Sequence, residues 1–235
     1  MAELIQVIKG RRSIRKYEDR EVTPEQLTTV LEAVQWSPSW ANTQCWEVIV
    51  IKEAATKQAL QETLAKGNPA TKAVVDAPVL LAMCGKLKSS GYYKDQVTTK
   101  FGDWFLFDLG IATQSLCLTA HDLGLGTVVV GLFDHDKART ILKVPDGFEV
   151  VALLPLGYPA KESSPPKRRE IGEFTHQEHF SAWRWMSRML TTSAAHPPHS
   201  AHLSRCRPTM ESLFASLDHG DCQHALPDAA FRSSG

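Results

Sequence analysis

Apolar residues recur along this chain first at helical and then at strand spacing. After an amphipathic stretch from Glu3 to about Lys9 and an irregular basic segment, Thr23-Pro24-Glu25-Gln26 reads as a helix start. Thr can cap, Pro suits the first helical position and Gln can complete a capping box. Leu27, Val30, Leu31 and Val34 then share one face and predict a helix that buries it. Trp46 to Ile51 and Val79 to Cys84 are short apolar runs that predict strands, whereas Glu53 to Lys66 between them has helical composition. Phe105, Leu109, Ala112, Leu116, Ala120 and Leu123 recur at spacings of three and four, predicting a central helix of about six turns from Phe101 to Leu123. Thr127 to Val130 and Val150 to Leu156 read as strands buried on both faces, with a short helix near Asp136 to Leu142 between them. These elements describe one domain, a sheet covered by helices on both sides.

From Ser181 to Gly235 the pattern stops. That segment holds five of the nine histidines, with much Ser and Pro and no sustained period. A helix through Trp183, Trp185, Met186 and Met189 would end at Pro197-Pro198. The expectation is an atypical tail without its own fold, either an arm on a partner subunit or a segment foreign to the domain. His196, His199 and His202 are spaced by three, but the prolines prevent a helical metal-binding face, and no metal site is expected.

Composition narrows the partners. Lys+Arg and Asp+Glu are equal at 26 each, so no global field draws the chain to nucleic acid or to an anionic membrane, and any anion must be held locally. No apolar run is long enough to span a bilayer. The N-terminus lacks the apolar core of a secretory signal. Cysteines are sparse, odd in number and without CxxC spacing, which predicts free thiols in a reducing compartment, the cytoplasm.

Four clusters carry candidate chemistry. Arg11, Arg12, Ser13 and Arg15 set guanidinium groups and a hydroxyl in a tight loop that can grip a phosphate, although a solvated basic face has the same composition. Pro38, Ser39, Trp40, Asn42 and Gln44 form a turn-rich stretch leading into a strand. The two amides offer donors and acceptors that suit the edge of a flavin ring, and an Asx-type turn is the plainer account of Asn42. Gly124 and Gly126 sit after a helix and before a strand, the reverse of a dinucleotide-binding loop, and read as a helix cap and turn. Gly131, at the end of a strand beside Val130, would admit a flat ligand close to the backbone. Lys167-Arg168-Arg169 is a second cationic group, equally readable as a solvated linker.

In this order and at these distances the clusters resemble the FMN-dependent nitroreductase family, from about Glu3 to Phe180. The family's Arg-x-Ser-x-Arg/Lys phosphate loop corresponds to Arg11, Ser13 and Arg15. Its Pro-Ser-x-x-Asn-x-Gln-Pro-Trp motif corresponds to Pro38, Ser39, Asn42, Gln44 and Trp46, with Cys45 where proline is usual. The resemblance implies an α+β fold: a three-layer α/β/α sandwich with a mixed, mainly antiparallel sheet, in a domain-swapped type of homodimer. It also implies that Pro38 and Ser39 contact the flavin held mainly by the other subunit, that the Gly131 amide approaches flavin N5 beside Val130, and that Lys167 and Arg169 form a late phosphate-binding pair.

The implied activity is transfer of reducing equivalents from NADH or NADPH through FMN to a small organic acceptor such as a nitroaromatic or a quinone, with ping-pong kinetics. The flavin performs the chemistry, so no protein catalytic residue is expected. Trp40, Tyr92, Tyr93 and Trp104 are candidates to wall the acceptor pocket, with Phe101 equally readable as helix core. The rivals are a specialised reductive dehalogenase or flavin-consuming enzyme of the same fold, and a flavin-binding sensor or storage protein without turnover.

Overall fold

A computed structural model describes residues 3–161 and 163–180. The tail expected beyond Phe180 lies outside the described residues. The chain separates into two compact units, divided after Lys167.

The first unit begins with α1 (Leu4–Gly10) and α2 (Pro24–Gln35). The capping box forms as expected: the Gln26 amide donates to Thr23 Oγ1, and the Thr23 amide donates to Gln26 Oε1, both at 3.2 Å. Thr23→Ala should therefore lower stability by about 1 kcal/mol, read as a shifted urea midpoint at unchanged slope. Next come β1 (Trp46–Ile51), α3 (Ala54–Gln61), α4 (Thr71–Asp76) and β2 (Val79–Lys86). They are followed by a two-strand hairpin, β3 (Tyr92–Tyr93) with β4 (Gln96–Val97), and by α5 (Phe105–Asp122). The unit closes with β5 (Gly126–Thr127), α6 (His135–Ile141) and β6 (Phe148–Gly157).

The main sheet has the order β1-β2-β6-β5, and its ladders are antiparallel. An isolated parallel bridge from Ser13 to Thr127 makes it mixed at the β5 edge. Strand alternation sorts the core into two layers. Val79, Leu81 and Met83 of β2, with Leu154 and Leu156 of β6, pack under α2 and α5. Leu80, Ala82 and Cys84, with Leu153, pack against residues of α3, α4 and α6. The result is the expected three-layer sandwich.

Several expectations need correcting. The helix read from Glu53 to Lys66 stops at Gln61, because the Thr63 carbonyl accepts the Asp134 amide at 2.8 Å and Leu64 bridges Phe133. The central helix starts at Phe105 rather than Phe101, after Gly102 at φ +75°. The strand read from Thr127 to Val130 pairs only at its ends. Thr127 lies opposite Leu156 and Val130 opposite Leu153, while Val129 is 53% exposed. Pro155 explains the gap: it has no N–H to donate toward β5. Its carbonyl instead accepts the Tyr17 hydroxyl at 3.1 Å, a proton that Tyr17 shares with the Ile14 carbonyl at 2.8 Å. Burial raises the Tyr17 pKa, so the phenol remains a donor.

Candidate functional site

The basic loop is shaped by the end of α1. A Cβ on Gly10 would lie 2.5 Å from His121 Nε2, so the glycine leaves the His121 ring its place between α1 and α5. Arg12 folds back, its Nη1 donating to the Lys9 and Arg11 carbonyls at 2.6 and 2.7 Å. One predicted phosphate ligand thus serves as a cap for the carbonyls at the helix C-terminus. Its Nε is buried without a partner. The loop is then stitched to a segment more than a hundred residues away: the Ile14 amide donates to the Thr127 carbonyl at 2.9 Å beside the Ser13–Thr127 bridge. Gly126 makes room for this, since a Cβ there would lie 2.5 Å from Ile14 Cγ1.

A cleft of about 270 Å³ opens at this junction, lined by Arg11, Arg12, His121, Thr127, Lys161 and Ser163 among others. Among the described residues its wall carries three cations, Arg11, Arg12 and Lys161, and no carboxylate, a composition that favours an anion. Ser13 and Arg15 lie beside the cleft rather than in its wall, with Arg15 Nη1 turned to the Ser13 carbonyl at 3.5 Å.

Burial first, and then Arg11 and Arg12, lower the His121 pKa from its ordinary 6.5, against an opposing effect of Asp122. The folded state binds fewer protons here than the unfolded chain, so stability is lost as pH falls through and below the ordinary histidine range. His121→Gln should therefore lose less stability than the parent between about pH 7 and pH 5, measured as urea midpoints. Equal acid sensitivity of the two proteins would exclude His121 as the responsible group.

The second loop is strained. After α2 it makes one 3-10 turn, Trp40–Asn42, and places Ala41, Asn42 and Gln44 at φ of 45°, 55° and 47°. Left-handed backbone costs non-glycine residues on the order of 1–2 kcal/mol each, least for Asn. The Ser39 hydroxyl closes the loop by accepting the Gln44 amide at 2.9 Å, so Ser39 performs the closure that an Asx turn would have assigned to Asn42. Pro38, Asn42 and Gln44 line an open cleft of about 420 Å³ together with Gln35, Trp36 and Ser37.

Asp108 of α5 secures this loop from below. Its Oδ2 accepts the Trp40 amide at 3.0 Å, the Ser90 hydroxyl at 2.6 Å and the Cys45 thiol at 3.6 Å. A hydrogen bond to a carboxylate contributes about 1.5–3 kcal/mol, so the Trp40 bond offsets part of the strain of the loop. Burial, and then Asp108, push the Cys45 thiol up to about 11, which keeps it a protonated donor.

The third region is Val130-Gly131. Val130 exchanges both backbone hydrogen bonds with Leu153 at 2.9 Å. A Cβ on Gly131 would meet nothing within 4 Å, so the chain is open to close approach there. His135 places Nε2 3.3 Å from the Gly131 carbonyl and Nδ1 2.7 Å from the Val150 carbonyl.

Of the predicted aromatic wall, Trp40 and Trp104 come together at 6.3 Å between centroids, and Phe101 and Phe107 join Trp104 at 5.9 and 5.2 Å. Phe101 is 74% exposed and precedes the helix, so it belongs to this exposed cluster and not to a core. Tyr92 and Tyr93 stand on the β3–β4 hairpin, where Tyr93 has Lys94 Nζ 5.4 Å from its ring. Lys167 ends the first unit and is exposed, whereas Arg169 belongs to the second and lies over the Phe174 ring at 5.4 Å. His121, Lys161, His135 and Asp108 escaped the sequence reading. Asp108 left a signal, a carboxylate three residues after Phe105 on the apolar stripe of α5.

The family model for the nitroreductase family matches residues 8–158. The chain is 32% identical over 189 residues to the NAD(P)H FMN reductase of Bacillus subtilis, covering 76% of this chain and 74% of that protein. It is 32% identical over 183 residues to the NADH dehydrogenase of Thermus thermophilus, covering 67% and 87%. The crystal structure of a nitroreductase family protein from Clostridium difficile aligns with a TM-score of 0.65 at 29% identity, over 77% of this chain and 100% of the other.

Proposed function

Because the chain belongs to the nitroreductase family, we propose that it is an FMN-dependent oxidoreductase, taking reducing equivalents from NADH or NADPH and delivering them to a small organic acceptor such as a nitroaromatic or a quinone. The observation that carries this reading is the stitching of the Arg11–Arg15 loop to Thr127, four residues before the open backbone at Gly131. A cationic cleft and an uncrowded stretch of backbone are thereby set along one edge of the sheet, as a phosphate joined to a flat ring requires. The orphaned Arg12 Nε donor and the cations Arg11 and Lys161 beside it in the cleft wall fit a phosphate group.

When bound, FMN supplies the hydride chemistry at N5. Arg11 and Lys161 hold the phosphate in this reading, Arg12 fixes the loop that carries it, and Lys167 and Arg169 are proposed from the sequence alone as further phosphate donors. Asn42 and Gln44 offer amide groups to the ring edge. Trp40 and Trp104 wall the acceptor pocket, and the reductant and acceptor use that pocket in turn.

The working form is proposed to be a homodimer in which Pro38 and Ser39 of one subunit complete the site of the other. Leu4, Ile5 and Ile8 are exposed on one face of α1, and Leu106 and Phe107 on the first turn of α5, apolar side chains of the kind that a subunit contact buries. Sedimentation equilibrium should give twice the chain mass.

The deciding experiment is an anaerobic visible spectrum of the FMN-loaded protein before and after NADH or NADPH. Bleaching of the flavin band supports the reductase, and menadione should then restore it. A band that neither nucleotide bleaches would favour a flavin sensor or store, and failure to take up FMN would overturn the reading.

A further inference from the structure

We propose that Asp108 is a positioning residue, a carboxylate inside α5 that sets the spacing of the Trp40–Trp104 pair and through it the grip on the acceptor. The proposal rests on the reading of the 39–45 loop as part of the flavin and acceptor site.

Asp108 is 2% exposed, and among the described residues it forms no ion pair. A buried carboxylate without a cation is a costly way to stabilise a helix, since an apolar side chain at that stripe position would pack without desolvating a charge. What it gains is reach. The Trp40 amide hangs directly on Oδ2. Trp104 hangs on it through Ser90, whose hydroxyl donates to Oδ2 while its carbonyl accepts the Trp104 amide at 3.0 Å. The backbones of both tryptophans are thus tied to one oxygen atom, and Trp104 is held in addition by the first turn of α5, where its carbonyl accepts the Phe107 amide at 3.0 Å.

The neighbouring backbone shows why a latch is needed. Ala41 follows Trp40 in a left-handed conformation with no polar side chain to sustain it, so the pinned Trp40 amide supports a strained loop that the Ser39–Gln44 bond closes on its other side. On the other side, a Cβ on Gly91 would lie 2.7 Å from the Gly102 carbonyl, so the segment between Ser90 and Trp104 is folded tightly on itself and transmits the position of Ser90. The Cys45 thiol adds a third, weaker donor to the same oxygen.

The test uses Ser90→Ala, Asp108→Asn and Asp108→Leu in the FMN-loaded protein, with menadione as acceptor and near-ultraviolet circular dichroism as the readout of the indole pair. Ser90→Ala should raise the KM for menadione by roughly fivefold or more, with kcat changed less than twofold, and should weaken the indole signal. Asp108→Asn keeps a carbonyl oxygen able to accept from Trp40 and Ser90, and should recover most of both. Asp108→Leu should lose both. If Asp108→Leu does not fold, the contrast between Ser90→Ala and Asp108→Asn decides. Parental KM and parental dichroism in a folded Ser90→Ala or Asp108→Leu protein would overturn the proposal. If the parent itself takes up no FMN, the reading of the site fails instead, and the dichroism of the variants still judges the latch.

Discussion

Arg11→Ala should weaken FMN binding by about 10- to 150-fold, the equivalent of roughly 1.5–3 kcal/mol for one lost charge-assisted hydrogen bond at about 1.4 kcal/mol per decade. Arg11 lies in the cleft wall with Arg12 and Lys161, and among the described residues no acidic side chain lines that wall. The same crowding predicts that the protein without FMN does not lose stability on this substitution, because three like charges repel one another until an anion arrives. Fluorescence quenching of titrated FMN measures the first effect, and a urea titration without FMN measures the second. Raising the salt concentration should weaken binding more in the parent than in the variant, since the variant has less Coulombic attraction to screen. Removing Arg11 also removes one of the charges that lower the His121 pKa, so the acid sensitivity of folding should decrease. Unchanged FMN affinity would remove the phosphate from this cleft.

Leu154→Ala should cost about 2–5 kcal/mol of folding stability, the range for deleting a large side chain from a closely packed core. Leu154 is 0% exposed and stands on β6 in the layer shared with α2 and α5. Strand β6 holds β2 on one side and β5 on the other, and it pairs with Val130 through Leu153. Slackening this strand should therefore also reduce flavin retention, although Leu154 lies outside the cleft wall. Urea unfolding with and without FMN separates the two consequences. A cost below about 1 kcal/mol would mean that the layer under α5 relaxes freely into the space left by the leucine.

Helix α2, the body of α5 and the two long inner strands were legible because their periods are local. The stripe through Val30 and Val34 and the capping box at Thr23 involve neighbours within two turns, and both formed as read. The apolar run of β2 was equally readable as a strand, and in the structure its successive residues divide between the two core layers. The expected strand at 127–130 failed for a reason that lies elsewhere in the chain. Pro155 faces its middle from β6, and no local property of Thr127 to Val130 reveals that partner. The helix read through Lys66 failed similarly, when Thr63 and Leu64 found partners at Asp134 and Phe133.

For the site, the sequence by itself determined the inventory: an arginine-rich loop, a turn carrying Asn42 and Gln44, an open glycine at 131 and a set of aromatics before the central helix. It determined that much because phosphate and ring-edge recognition require particular side-chain types close together in the chain. Only the tertiary structure decided how these pieces are used. It turned Arg12 inward to cap α1, brought His121 and Lys161 into the cationic cleft, set Tyr92 and Tyr93 on a two-strand hairpin, and hung the strained loop on Asp108. The physical reason is one of range. Propensity and periodicity act over a few residues, whereas a buried carboxylate or a missing Cβ exerts its effect through whichever distant segment the fold presses against it.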